Sequence, residues 1–137
     1  MRLRVRLTCA VWMLVLACAH KPVSDRIAEH DRVRESWEQT ARFAALEWSH
    51  HAIPDAFADR ALERAREELA NEAKSLTADP LPHVDRERLG ASLDGAISFV
   101  DALRHALSSS DESSAVRIVD RASIPNADSL LQRAELK

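Results

Sequence analysis

The chain has 137 residues, of which 30% are charged, and its formal net charge at pH 7 is −3. This length accommodates one domain with a single core. A weakly acidic chain has no electrostatic attraction to nucleic acid or anionic lipid, which require basic patches. We therefore expect a single domain that does not bind nucleic acid.

The first 19 residues have the composition of an export signal. Arg2, Arg4 and Arg6 precede an apolar run of 13 residues from Leu7 to Ala19. At 1.5 Å per helical residue this run spans about 20 Å, well short of the ~30 Å hydrocarbon core of a bilayer. Positive charge in front of such a run holds its start in the cytoplasm while the run enters the export machinery. A permanent transmembrane helix is therefore not expected.

The end of the run, Val15-Leu16-Ala17-Cys18, resembles the lipobox of bacterial lipoproteins. In that family an aliphatic residue stands three positions before the cysteine, and a small residue stands directly before it. The resemblance implies cleavage between Ala17 and Cys18, diacylglycerol on the sulfur, and acylation of the new amine, typically by palmitate. Leu16 departs from the family, which more often has a smaller or β-branched residue there. The alternative is ordinary cleavage after Ala17-Cys18-Ala19, an A-x-A-like site that would release a soluble protein.

The same resemblance implies an address in the cell envelope. An aspartate after the cysteine usually signals inner-membrane retention in Gram-negative lipoproteins, but here Ala19 follows, which favours the periplasmic face of the outer membrane. Secretion into the periplasm is the alternative. Removal of residues 1–17 takes away three arginines and leaves 120 residues with a net charge of −6. Cys9 leaves with the signal and Cys18 would be acylated, so no thiol remains for a disulfide.

Every long periodicity in the rest of the chain is helical. The first predicted helix covers residues 24–51 and begins with Ser24 as its N-cap. Arg42 lies on its polar face, whereas His30 lies on its apolar face. A lone histidine in that position is usually a hydrogen-bonded structural residue or lies at the edge of a partner contact. The apolar face covers about 120° and contains Ile27, Val33, Trp37, Ala41, Ala44, Ala45 and Trp48.

Pro54 ends the first helix and suits the first turn of the next one, which predicts a tight hairpin and a second helix over residues 54–78. The stripe of this second helix is dominated by alanine, which favours close approach of a neighbouring helix. Its members are Ala58, Ala61, Leu62, Ala65, Leu69, Ala73 and Leu76. Asp79-Pro80-Leu81-Pro82 then predicts a second turn, because each proline restricts the preceding residue away from helix.

The third predicted helix, residues 84–109, has the clearest pattern of the chain. Its apolar residues follow the strict 3.5-residue period of left-handed helix packing. They are Leu89, Leu93, Ala96, Val100, Leu103 and Leu107. These apolar residues are buried either against other helices of the same chain or against a second copy, so self-association is an alternative. Gly90 and Gly95 inside the helix indicate either close helix contact or a bend.

The remaining residues predict a broken fourth helix. Residues 108–111 predict a linker and an N-cap for a short helix, whose apolar residues are Ala115, Val116, Val119 and Ala122. A strand over residues 116–119 is the alternative. Pro125 ends that helix, and Asn126 caps a last helix with an apolar face of Leu130, Leu131, Ala134 and Leu136.

The predicted fold is all-α, an up-down helical bundle of three long helices and a broken fourth. Residues 1–17 are assigned to the signal, residues 18–23 to the lipidated cysteine and a short tether, and residues 24–137 to a single bundle domain.

The six histidines raise the question of a metal site. His50 and His51 are weak candidates, and a C-terminal turn that meets the helix dipole is the preferred interpretation. Glu47 and His50 have the E-x-x-H step of ferritin-like di-iron bundles, but such a site needs a second pair of this kind together with two further inward-facing glutamates, and no second E-x-x-H step occurs in the sequence. Asp101 and His105 are predicted to form a solvated pair. We therefore expect no metal and no cofactor other than the covalent lipid on the cysteine.

Trp37 and Trp48 lie three turns apart on nearly the same line of the first helix. Core packing is the preferred interpretation, and a ligand groove or partner surface is the alternative. The sequence contains no glycine-rich phosphate loop, nucleophile elbow, CxxC or HExxH motif, so we do not expect an enzyme. The leading hypothesis is a lipid-anchored envelope domain that contacts another envelope protein, as an adaptor, assembly factor or holding module. The alternative is a periplasmic bundle that binds a small ligand or metal near His50, His51 and Trp48.

Overall fold

The computed structural model describes residues 21–123. These residues form four helices, namely α1 (Val23–Ser49), α2 (Asp55–Ala78), α3 (His83–Ser108) and α4 (Glu112–Ser123). Short turns at 50–54, 79–82 and 109–111 make consecutive helices antiparallel. The predicted all-α bundle with three long helices is confirmed, and the strand alternative at residues 116–119 is wrong because those residues lie in α4. The export signal, Cys18 and the last predicted helix lie outside the described residues.

The core lies where α1, α2 and α3 face one another, and α4 packs on α1 and α3 without contacting α2. All six apolar residues of the α3 seam are buried, so the seam is satisfied within the chain. On the facing helices Ala41, Ala58 and Ala65 are fully buried, and their small side chains let the helix backbones approach closely. Within residues 21–123, no helix is both long and apolar enough to cross a membrane.

The first three helices each begin directly after a proline rather than at a side-chain cap. The backbone of Pro22 is extended, and its carbonyl accepts hydrogen bonds from the N–H groups of Asp25 and Arg26 at 3.1 and 3.3 Å. The predicted N-cap at Ser24 is therefore wrong, because the helix has already begun at Val23.

The fourth helix does have a side-chain cap, as the sequence predicts. Asp111 accepts hydrogen bonds from the hydroxyl of Ser114 (2.6 Å), the N–H of Ser114 (2.9 Å) and the hydroxyl of Ser113 (2.8 Å). These hydrogen bonds favour the carboxylate and lower the pKa of Asp111 to about 2. The cap thus keeps its negative charge at the start of α4 in all but strongly acidic solution.

Helices α1 and α3 end with the same backbone motif. The N–H groups of His51 and Ala52 donate to carbonyls in the last turn of α1 at 2.9 and 2.8 Å. Ser110 and Asp111 make the equivalent bonds to the last turn of α3 at 3.0 and 2.9 Å. This is the Schellman arrangement, in which the residue after the cap has left-handed backbone. His51 and Ser110 have φ values of 58° and 51°, where glycine is the usual residue.

A side chain from α1 caps the C-terminal end of α4. The Arg42 guanidinium donates to the carbonyls of Val119 (3.3 Å) and Ala122 (3.2 Å), and it lies over the Phe99 ring of α3 at 4.8 Å from the ring centroid. The carbonyl of Val119 also accepts from the hydroxyl of Ser123, and Ala122 lies in the last turn of α4, where carbonyls carry partial negative charge that a cation stabilises. Arg42 therefore joins three helices, although the helical wheel assigns it to the polar face.

Both glycines of the chain have open space around them inside α3. A Cβ atom added to Gly90 or Gly95 would meet no atom within 4 Å, so the close-contact interpretation is wrong. We expect Gly95→Ala to raise the free energy of unfolding by about 0.5–1 kcal/mol, because alanine loses less backbone entropy in a helix. Urea denaturation measures this change. The reverse substitution at the neighbouring exposed site, Ala91→Gly, should lower the same quantity by a similar amount, and a destabilised Gly95→Ala protein would contradict the open environment.

Candidate functional site

A group of charged side chains fastens the start of α1 to α2. His30 is the buried polar residue of the described core, with 8% of its surface exposed. Its Nδ1 lies 2.5 Å from Oε1 of Glu72 in α2, and its Nε2 lies 3.1 Å from Oδ2 of Asp79, the residue that follows α2. Arg26, one turn before His30, donates to Oδ1 of Asp79 at 3.1 Å. We call these four residues the His30 cluster.

The geometry favours the protonated form of His30. A neutral imidazole has one N–H donor and one acceptor, so one of the two carboxylates would face a ring lone pair. The imidazolium donates to both. Burial disfavours the charged ring, but hydrogen bonds to Asp79 and Glu72 outweigh it and raise the pKa of His30 above its ordinary value. The hydrogen bond from His30 in turn lowers the pKa of Asp79, against the effect of burial and with help from Arg26.

The surrounding elements hold this cluster in place. Arg86 of α3 donates from Nη2 to two carbonyls of the α2–α3 turn, at 3.2 and 2.9 Å. Before α1, the carbonyl of Lys21 accepts from Nε of Arg26 at 3.2 Å, and the Lys21 ammonium pairs with Glu29 at 2.8 Å. The start of α1, the end of α2 and the start of α3 are therefore joined by one continuous polar network.

A cleft of about 190 Å³ lies beside the cluster and is also lined by Glu29, Val33 and Ser75. Ser75 donates its hydroxyl to the backbone carbonyl of Glu72 at 2.9 Å, and both ring nitrogens of His30 already contact carboxylates. The hydroxyl of Ser75 is therefore not hydrogen-bonded to the imidazole of His30. The two carboxylates lie on opposite edges of the ring, and residues 21–123 contain no group of three metal-ligating side chains that could hold an ion.

The two tryptophans are placed in the core and at its margin. Trp48 is buried, and its Nε1 donates to Oδ1 of Asp55 at 2.8 Å, which links the end of α1 to the start of α2. Trp37 is half-buried and packs against the same core. The structure thus gives Trp48 a packing role, and its buried ring presents no face to a ligand or partner.

The histidines at the end of α1 are not brought together with further ligands. His50 and His51 are exposed, and Nδ1 of His51 lies 3.6 Å from a carboxylate oxygen of Glu112. One histidine and one carboxylate fall short of the three or four ligands of a zinc site. Asp101 accepts a hydrogen bond from Arg66 of α2 at 2.7 Å instead of pairing with the histidine one turn later, so that predicted pair is wrong.

Sequence reasoning placed His30 on the apolar face but found no partner for it. Glu72 and Asp79 follow 42 and 49 residues later. One signal was available, because α1 and α2 are antiparallel. His30 lies 19 residues before the end of α1, and the position 19 residues into α2 is residue 74, close to Glu72. Counting outward from the α1–α2 turn along both helices therefore places His30 and Glu72 at about the same level along the axis of the bundle.

Large apolar side chains are exposed at two ends of the bundle. Phe43 (63% exposed) lies in the last third of α1, and Phe57 (60% exposed) lies in the first turn of α2. Both are near the α1–α2 turn. Val84, which is 74% exposed, lies at the opposite end, in the first turn of α3. Exposed aromatic rings are enriched at sites of protein contact.

Comparisons of the chain with protein-family models, with curated proteins and with solved structures find no match. The function is therefore inferred from two features: the N-terminal sequence and the surface of the described bundle.

Proposed function

We propose that the protein is a non-enzymatic, lipid-anchored domain of the bacterial cell envelope that works through contact with another envelope protein, as an adaptor, assembly factor or holding module. The lipid is the one that the resemblance to lipoproteins implies for Cys18, and the periplasmic face of the outer membrane is the favoured address. α1 begins at Val23, so residues 18–22 would form the whole tether. Five extended residues reach at most about 18 Å.

Such a short tether would hold one end of the bundle, the end at which α1 begins, close to the membrane. The start of α1 would lie near the lipid surface, and the 27 residues of α1 extend about 40 Å away from that end. Phe43 and Phe57 lie toward the far end, where a protein partner has access. Their exposure at that end is the observation that carries the proposal.

We expect a Phe43→Ser, Phe57→Ser double variant to lose its partner in intact cells. The two rings are exposed, so the free energy of unfolding should change by no more than about 0.5 kcal/mol per site. Crosslinking in cells followed by mass spectrometry measures capture, and urea denaturation measures stability. The matched control is Val84→Ser, a still more exposed apolar site at the other end, which should leave capture intact.

Two results would decide whether Phe43 and Phe57 take part in the contact. Capture of the same protein by the double variant and the wild type would contradict a role for the two rings. Capture of only a second copy of this chain by the wild type would replace the adaptor with a self-associating domain.

A further inference from the structure

The two halves of α1 are held to the bundle in different ways. In the N-terminal half, residues 23–35, the buried side chain is His30, and the apolar residues Ile27 and Val33 are only half-buried. All the buried apolar residues of the helix lie in the C-terminal half, namely Ala41, Ala44, Ala45 and Trp48. A segment with few buried apolar contacts opens at low cost. The N-terminal half therefore depends mainly on the His30 cluster for its attachment.

The attachment of this half of α1 requires that the imidazole of His30 be protonated. The charged groups that face His30 are Arg26 and Glu29 from α1, Glu72 from α2, and Asp79 from the turn that α3 holds. With an imidazolium, the cluster pairs two cations with two anions. With a neutral ring, Arg26 is the remaining cation of the cluster and pairs with Asp79, and one of the two carboxylates loses a charge-assisted hydrogen bond in a partly buried site. Such a loss is strongly unfavourable.

We propose that the His30 cluster is a protonation switch that sets the length of free chain between the lipid anchor and the helical bundle. When His30 is protonated, residues 23–30 are docked on α2 and the tether is residues 18–22. When His30 is neutral, the first two turns of α1 detach and the tether extends to residue 30. Thirteen extended residues reach at most about 45 Å. The inference rests on the proposed lipid anchor, but the switch itself belongs to the folded domain.

The pH range in which the cluster is closed follows from the difference between the folded-state and ordinary pKa values of its groups. Because the pKa of His30 is higher in the folded protein than the ordinary value of 6.5, the stabilisation is fully present below about pH 6.5. It is lost as the pH rises through the folded-state pKa. Asp79 has a lowered pKa, so its contribution is present above its ordinary value of 3.8 and is lost as the pH falls through the lower folded-state value. The cluster is therefore closed in mildly acidic solution and opens on the alkaline side.

Hydrogen–deuterium exchange of the purified mature protein tests this. Between pH 5.5 and pH 9, after correction for the intrinsic exchange rate, we expect the protection of amides 25–30 to fall by about tenfold or more. Amides 41–48 should keep theirs. The transition should coincide with the titration of the His30 ring followed by NMR, with a midpoint above pH 6.5. Constant protection, or an equal loss over residues 41–48, would overturn the switch.

Three variants separate a switch from a merely structural residue. His30→Gln should give low protection of amides 25–30 at every pH. Glu72→Gln retains a side-chain acceptor but removes one negative charge, so it should keep the transition and move its midpoint to lower pH. The control is His83→Gln, since His83 is 77% exposed at the same end of the bundle and its loss should leave the transition unchanged. A transition that persists in His30→Gln, or an unmoved midpoint in Glu72→Gln, would contradict the proposal.

The same samples separate this inference from the proposed anchor. The mass of the N-terminal peptide reports whether the protein carries lipid. Lipid without a pH transition would contradict the switch alone. A transition in a protein without lipid would contradict the anchor, and with it the role of the switch in tether length.

Discussion

The Cys18→Ser protein is expected to carry no lipid and to lose its partner completely in intact cells. In the family that the N-terminal sequence resembles, diacylglycerol is attached to the sulfur of this cysteine, and serine has no sulfur to accept it. Each buried CH₂ of an acyl chain contributes about 0.8 kcal/mol to membrane binding, and stable anchoring takes more than one chain. Loss of the lipid would therefore remove the domain from the membrane-bound assembly.

The chain supplies its own control for this experiment. Cys9 is the other cysteine, and Cys9→Ser lies in the predicted signal, so it should leave both lipid and partner unchanged. Mass spectrometry of the N-terminal peptide and crosslinking in cells give the two measurements. An unmodified wild-type chain that begins at His20 would contradict lipidation and establish the A-x-A-like cleavage instead.

We expect Leu69→Ala to lower the free energy of unfolding by about 2–5 kcal/mol. Leu69 is fully buried in the middle of α2 and belongs to the core cluster, so its truncation removes apolar contacts and leaves a cavity. A domain of this size has a total stability of about 5–15 kcal/mol, so this change removes a large fraction of it. Urea denaturation followed by circular dichroism measures the loss.

The matched control is Val84→Ala, which truncates a side chain that is 74% exposed and should change the same free energy by less than about 0.5 kcal/mol. Equal stability of the Leu69→Ala protein and the wild type would mean that α2 does not pack in the core as described.

The fold was predictable where the signal is periodic. The 3.5-residue seam of α3 predicts six buried residues, and all six are buried, because the side of a helix on which a residue lies depends only on its position in the chain. The ends of helices depend on single residues, and there the prediction was mixed. Asp111 caps α4 as expected, whereas Ser24 does not cap α1 because Pro22 already provides the extended backbone and the acceptor carbonyl.

The His30 cluster was not predictable in the same way. Glu72 and Asp79 resemble the other carboxylates of a chain in which 30% of residues are charged. What distinguishes them is the pairing and rotation of α2 against α1, which no local pattern encodes. Arg42 shows the same limit. It lies on the polar side of α1, but that side is covered by the end of α4, whose position follows only from tertiary packing.

The short turns between the helices also have a kinetic consequence. Turns of five, four and three residues connect helices that pack on one another, so most contacts join segments close in the chain and the relative contact order is low. Helical domains with this property fold in microseconds to milliseconds. Under the proposed export, the chain would cross the membrane unfolded and would expose its apolar side chains until the bundle closes. Rapid closure shortens the interval during which such a chain can aggregate.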